Sequence, residues 1–209
     1  MFGLSAQDLS GRILDCAAGP ASFNAEMTTE GQSAVSCDPL YRFTAREIRD
    51  RNEETYEVEL AGAGGLRARC VWKDIESPAR LGETRMRAIR RFLDDFPRGF
   101  REGRYRPDGL PMLSFGYDTF GLALCSHFLF TYSEQLSADL HLAAIEEVCR
   151  VAGETRVFPL LNYDGEPSPH LPPTLNELSA REYRDETRLV PYQFQKGGNR
   201  VLCVEAPRG

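Results

Sequence analysis

Arg12-Ile13-Leu14-Asp15-Cys16-Ala17-Ala18-Gly19-Pro20-Ala21-Ser22-Phe23 is the stretch from which the fold can be read. A short apolar run broken only by Asp15 ends in small residues, and a helical pattern opens at Ser22 and continues to Met27. That order spells a strand, a tight turn and a helix. Ala34-Val35-Ser36-Cys37-Asp38-Pro39-Leu40 follows as a second short apolar strand, stopped by Asp-Pro. Two strands joined by one short helix, the second closing on an acid, form the opening of a βαβ unit.

Outward from this unit the pattern stays α/β. Thr44 to about Glu57 and Ala79 to Arg101 are charged and helical, the latter with Met86, Ile89, Phe92, Leu93 and Phe96 at three- and four-residue spacings. Leu66 to Trp72 reads as either a short strand or a helical turn. Tyr117 to Cys125 reads as a buried strand, Ser137 to Val151 as a helix stopped at Gly153, Thr155 to Leu161 as a strand, and His170 to Ala180 as a helix. Thr187 to Phe194 and Asn199 to Glu205 read as two strands of a hairpin turning at Lys196-Gly197-Gly198-Asn199. The expectation is a doubly wound sheet with an antiparallel edge element, in one domain of 209 residues.

Composition narrows the function classes. With 42% hydrophobic and 27% charged residues the chain is an ordinary globular one. Its net charge of −6 argues against a dedicated nucleic-acid binder. The longest apolar run, Phe120 to Phe130, is interrupted by Gly121, Ser126 and His127 and falls short of the roughly 18 residues needed to span a bilayer. No membrane partner is expected, and the start of the chain lacks a secretory pattern, so a cytoplasmic location is expected. Six cysteines without a Cys-x-x-Cys pair read as buried reduced thiols and offer no metal site.

The turn after the first strand places small side chains where a ligand must approach the backbone, at the carboxyl end of a strand. Alone it is also compatible with a tight connection that binds nothing. Asp38 stands where an acid can accept hydrogen bonds from two ribose hydroxyls, or where it merely makes an Asp-Pro turn. Together the two features favour a nucleoside-bearing ligand. Ala17 and Ala21 stand where a diphosphate-binding turn would need glycine.

On these residues the chain resembles the class I S-adenosylmethionine-dependent methyltransferases. Ile13-Leu14-Asp15-Cys16-Ala17-Ala18-Gly19-Pro20 is similar to their first motif and Ser36-Cys37-Asp38-Pro39 to their second. Leu113 to Leu124 is similar to the segment leading into their fourth strand. The departures are Ala17 and Ala21 for glycines, Ser114 for proline and Gly121 for a common aspartate. The resemblance implies a Rossmann-like, seven-stranded, mostly parallel sheet with a reversed last strand and helices on both faces. It implies S-adenosyl-L-methionine as cofactor. Asp15 with Ala17, Gly19, Pro20 and Ala21 would hold its methionine end, Asp38 with Pro39 its ribose and Asp108 its adenine amino group, with Ser126 completing the set.

The distance from Asp38 to Asp108 exceeds what the family commonly uses, so a helical insertion over about Ala61 to Arg104, before the fourth strand, is expected to cover the substrate. Between Arg80 and Arg106 nine arginines stand against four acids. Such an excess would steer an anionic small-molecule substrate, or belong to a solvated amphipathic helix. The resemblance puts His127, just past the fourth strand, beside the acceptor as a catalytic base, with a packed histidine as the alternative. The Asn/Asp-Pro-Pro-Tyr signature of nucleic-acid and many protein N-methylating members is absent. Two other readings remain: a nicotinamide-dependent oxidoreductase, and a non-catalytic module that binds a partner through the arginine-rich segment.

Overall fold

The computed structural model describes residues 1–54, 69–73 and 75–207. Seven strands form one sheet: β1 (Arg12–Cys16), β2 (Ser33–Cys37), β3 (Tyr105–Arg106), β4 (Phe120–Ser126), β5 (Ala152–Phe158), β6 (Arg184–Leu189) and β7 (Arg200–Glu205), in the order β3-β2-β1-β4-β5-β7-β6. The strands from β3 to β5 are parallel, and β7 runs antiparallel to both β5 and β6. This is the Rossmann-like, mostly parallel sheet with a reversed last strand. β1, β2 and β4 are buried on both faces, and their interiors are apolar apart from Asp15 and Ser36.

Alternation along the strands sorts the core into two layers. Leu14, Val35, Ala123 and Val157 face α5 (Ala138–Val151) and α6 (Leu171–Ala180). Ile13, Ala34, Leu122 and Leu124 face α2 (Phe23–Thr29) and the N-terminal segment with Phe2, Leu4 and α1 (Ala6–Ser10). Pairing of Cys16 with both Cys37 and Cys125 makes the carboxyl ends of β1, β2 and β4 flush. All six cysteines are buried and unbridged.

The chain between β2 and β3 runs through α3, helical over 45–54, and α4 (Pro78–Arg101). Of the segment expected as a cover, residues 61–68 and 74 lie outside the described residues. The part from Pro78 to Arg101 is the crossover helix that returns the chain to β3. Its Phe92, Leu93 and Phe96 pack with Tyr41, Ile48 and Tyr105 beside the sheet. Residues 69–72 cross to the far side: Cys70 bridges Gln195, the Val71 amide donates to the Phe194 carbonyl at 2.7 Å, and Trp72 meets the Phe194 ring edge-on.

Several elements differ from expectation: β4 begins at Phe120 where a strand was expected from Tyr117, and β5 spans Ala152–Phe158 where Thr155 to Leu161 was expected. The strand expected over Thr187 to Phe194 lies at Arg184–Leu189, and residues 190–199 join it to β7 instead of a four-residue turn. Those residues are occupied by the contacts with 69–72, which no local pattern announces. The glycine expected to stop α5 belongs to β5, where a side chain on Gly153 would press on the Gly121 carbonyl at 3.3 Å. α1, closed by the Ser5/Asp8 capping box, and the two-residue β3 were not foreseen.

Candidate functional site

The expected ligand-binding residues line the carboxyl edge of the sheet. The turn leaving β1 holds Ala17 at φ 51° and Gly19 at φ 56°. Left-handed backbone costs an alanine roughly 1–2 kcal/mol and glycine little, so the surrounding structure must impose it on Ala17. Three contacts do so. The Ala18 amide donates to the Cys37 carbonyl at 3.2 Å, the Gly19 amide donates to Asp38 Oδ2 at 2.9 Å, and the buried Tyr41 hydroxyl donates to the Gly19 carbonyl at 2.7 Å.

Asp38, at the end of β2, also accepts the Leu40 amide on Oδ1 at 2.7 Å and so caps the following turn. Asp15 lies on the neighbouring strand with 6% of its surface exposed. Its carboxylate accepts from Ser36 Oγ at 3.2 Å. Burial, with a smaller push from the Asp38 charge, raises its pKa to about 7 against the ordering effect of the Ser36 bond. Behind Ser36, the buried Asn24 amide donates to the Ala34 and Arg104 carbonyls and to Ser36 Oγ, while its oxygen accepts from Arg104 at 2.6 Å. Arg104 in turn makes a two-pronged pair with Asp95 of α4 at 2.7 and 2.8 Å. Asn24, Ser36, Tyr41 and Arg104 were missed in the sequence. The available signal was Asn24 itself, a poor helix former on the buried face of α2.

Gly109, the residue after Asp108, approaches Pro39 so closely that a side chain there would sit 2.7 Å from Pro39 Cγ. Asp108 follows β3, partly buried, and accepts from Ser114 Oγ at 2.6 Å. Ser126 and His127 lie at the end of β4, adjacent to the β1 turn. His127 has φ 50°, its amide donates to the Phe158 carbonyl at 2.7 Å, and its Nδ1 shares a hydrogen with Ser126 Oγ at 2.8 Å. The ring keeps solvent access, yet the surrounding protein and the Arg85 charge push its pKa down to about 4. An imidazole so depressed is neutral at pH 7 and a weak base.

The thiols beneath this edge are inert. Burial raises Cys125 to about 12, and Cys16 is raised by its neighbour Cys37 and by burial. No group of histidine, cysteine and acidic residues that could hold a metal ion occurs among the described residues. No helix among them is long and apolar enough to cross a membrane.

Among curated proteins, the uncharacterized protein MJ0045 of Methanocaldococcus jannaschii is 32% identical over 205 residues, covering 98% of this chain and 90% of that protein. The chain belongs to the MJ0045 family. No protein-family profile matches it. Among solved structures, this MJ0045-family chain is similar to magnesium protoporphyrin IX methyltransferase from Synechocystis PCC 6803 with bound SAM. Identity is 10%, coverage 95% of this chain and 71% of that one, and the TM-score 0.45. It is also similar to a SAM-dependent methyltransferase from Methanosarcina mazei, with 13% identity, coverage of 99% and 96%, and a TM-score of 0.47.

Proposed function

We propose that the chain is an S-adenosylmethionine-dependent methyltransferase acting on a small-molecule acceptor from a cytoplasmic location. The observation that carries this reading is the charge at the turn. The Gly19 amide, which a diphosphate would need, is committed to Asp38, and two carboxylates, Asp15 and Asp38, flank the turn. Asp38 would serve the ribose of either ligand, whereas the buried Asp15 carboxyl would ionise beside an ammonium and resist a diphosphate, so a cationic ligand is favoured. This speaks against a nicotinamide cofactor. The sheet order with its reversed β7 supports the same reading.

The residues present fit the cofactor. Asp38 keeps acceptor capacity for ribose hydroxyls after taking two backbone amides, and Asp15 gains a partner that favours its charged form. When bound, the cofactor supplies an electrophilic methyl group, so the protein's task is to orient and to exclude water. In this reading Asp15 and the turn hold the amino-acid end, Asp38 and Pro39 the ribose, and Asp108 the base. His127 is an orienting group in this reading, held by Ser126 and kept neutral. A thermal-shift comparison tests the assignment. S-adenosylmethionine and S-adenosylhomocysteine are expected to raise the melting temperature and NAD to leave it unchanged; stabilisation by NAD alone would overturn it.

A further inference from the structure

A cavity of about 200 Å³ lies among loops that none of the residues above belongs to. Its walls come from two loops. Thr131, Tyr132 and Glu134 follow β4, and Asn162, Tyr163 and Asp164 follow β5. β4 and β5 are neighbours whose ends pair as Ser126 with Phe158, and β4 borders β1, so the cavity opens on the same carboxyl edge as the turn.

Its chemistry is one-sided. Asp164 is neutralised by Arg69 at 2.7 Å, whereas Glu134 makes no ion pair among the described residues. Tyr132 and Tyr163 expose 42% and 61% of their surface at the rim. Thr131 is buried, and its Oγ1 has no hydrogen-bond partner among the described residues. A buried hydroxyl left unpaired costs free energy that a ligand's donor would recover. A carboxylate, two aromatic rings and an orphaned hydroxyl together select a small organic cation with a hydrogen-bond donor.

We propose that this cavity is the acceptor's binding subsite and holds a small molecule by an ammonium group, in place of the anionic substrate that the arginine-rich segment suggested. Its role as an acceptor subsite rests on the methyltransferase reading; its preference for a cation does not. Glu134 sets the charge preference, and Thr131 takes the donor.

The test titrates the full chain with choline and with 3,3-dimethylbutan-1-ol, its neutral counterpart of nearly the same shape, following amide shifts by NMR. Choline is expected to bind at least 10-fold more tightly, with shifts at 131–135 and 162–164. Glu134→Gln should abolish that preference and leave the melting temperature unchanged. Equal binding of the two probes, a preference that survives Glu134→Gln, or shifts confined to other residues would overturn the proposal. Binding of S-adenosylhomocysteine, measured on the same preparations, separates the two claims. If it is retained without a choline preference, the subsite fails alone; if it is absent while the preference persists, the methyltransferase reading and the acceptor role fall and the cation site stands.

Discussion

Asp15 is a buried acid whose titration has a measurable consequence for stability. Its pKa near 7 in the folded protein stands against 3.8 for an ordinary aspartate. Between those values the folded state holds a proton that the unfolded state has lost, so stability falls as pH rises from about 4 to about 7. The full penalty is present above 7, and the shift corresponds to at most about 4 kcal/mol. Asp15→Asn is therefore expected to melt above the wild type at pH 8, with the advantage shrinking toward pH 4. A difference independent of pH would show that Asp15 is not the group responsible. His127 titrates in the opposite direction. With its pKa near 4, turnover at saturating cofactor should show no limb from this imidazole between pH 5.5 and 8. His127→Ala should lower turnover by about 10-fold through lost orientation while leaving cofactor affinity nearly unchanged. A limb near pH 6.5 that vanishes in the variant would restore the general base.

At the scale of elements, α4 and β3 are fastened to the site through Arg104, which pairs with both Asp95 and Glu102. The Arg104 and Asp95 side chains are only 14% and 18% exposed, and Arg104 also reaches Asn24, which orders Ser36 and through it Asp15. Arg104→Ala leaves the largely buried Asp95 carboxylate with the Tyr105 hydroxyl but no cation, and the Asn24 side-chain oxygen without its donor, so a loss of about 3 kcal/mol is expected in denaturant unfolding. A loss below about 1 kcal/mol would mean that the network does not hold the edge together. The helix itself was legible, since Phe92, Leu93 and Phe96 keep helical spacing. Its place was not. Counting residues from Asp38 to Asp108 suggested a helical insertion over about 61–104; within it Pro78–Arg101 is a helix packed against Tyr41 and Tyr105, and residues 61–68 and 74 lie outside the described residues. The long link from β6 to β7 was hidden for a related reason. Gly197 and Gly198 look like a hairpin turn, but residues 194–196 are held by 69–72, a contact between segments far apart in sequence.

At the scale of the whole molecule, the sheet was readable because the parallel strands are short apolar runs between turn residues, and the acids at the ends of β1 and β2 stand out against them. Asp15, Asp38 and the small-residue turn were thus visible as a group, and the register of β1 with β2 brings them together. The cavity beyond β4 and β5 left no such trace. Thr131 and Asn162 become neighbours only because their strands are adjacent, which no local pattern encodes. The central claim is that the acid ending β2 holds the ribose of S-adenosylmethionine beside the turn of β1. Calorimetry with S-adenosylhomocysteine on the wild type and on Asp38→Asn, with melting curves on both, tests it most directly. The account predicts micromolar binding by the wild type and, in a variant that still folds, affinity about 10- to 100-fold weaker, as expected for lost hydrogen bonds to a charged group. Equal affinity in the two proteins, or no binding by the wild type, would contradict it.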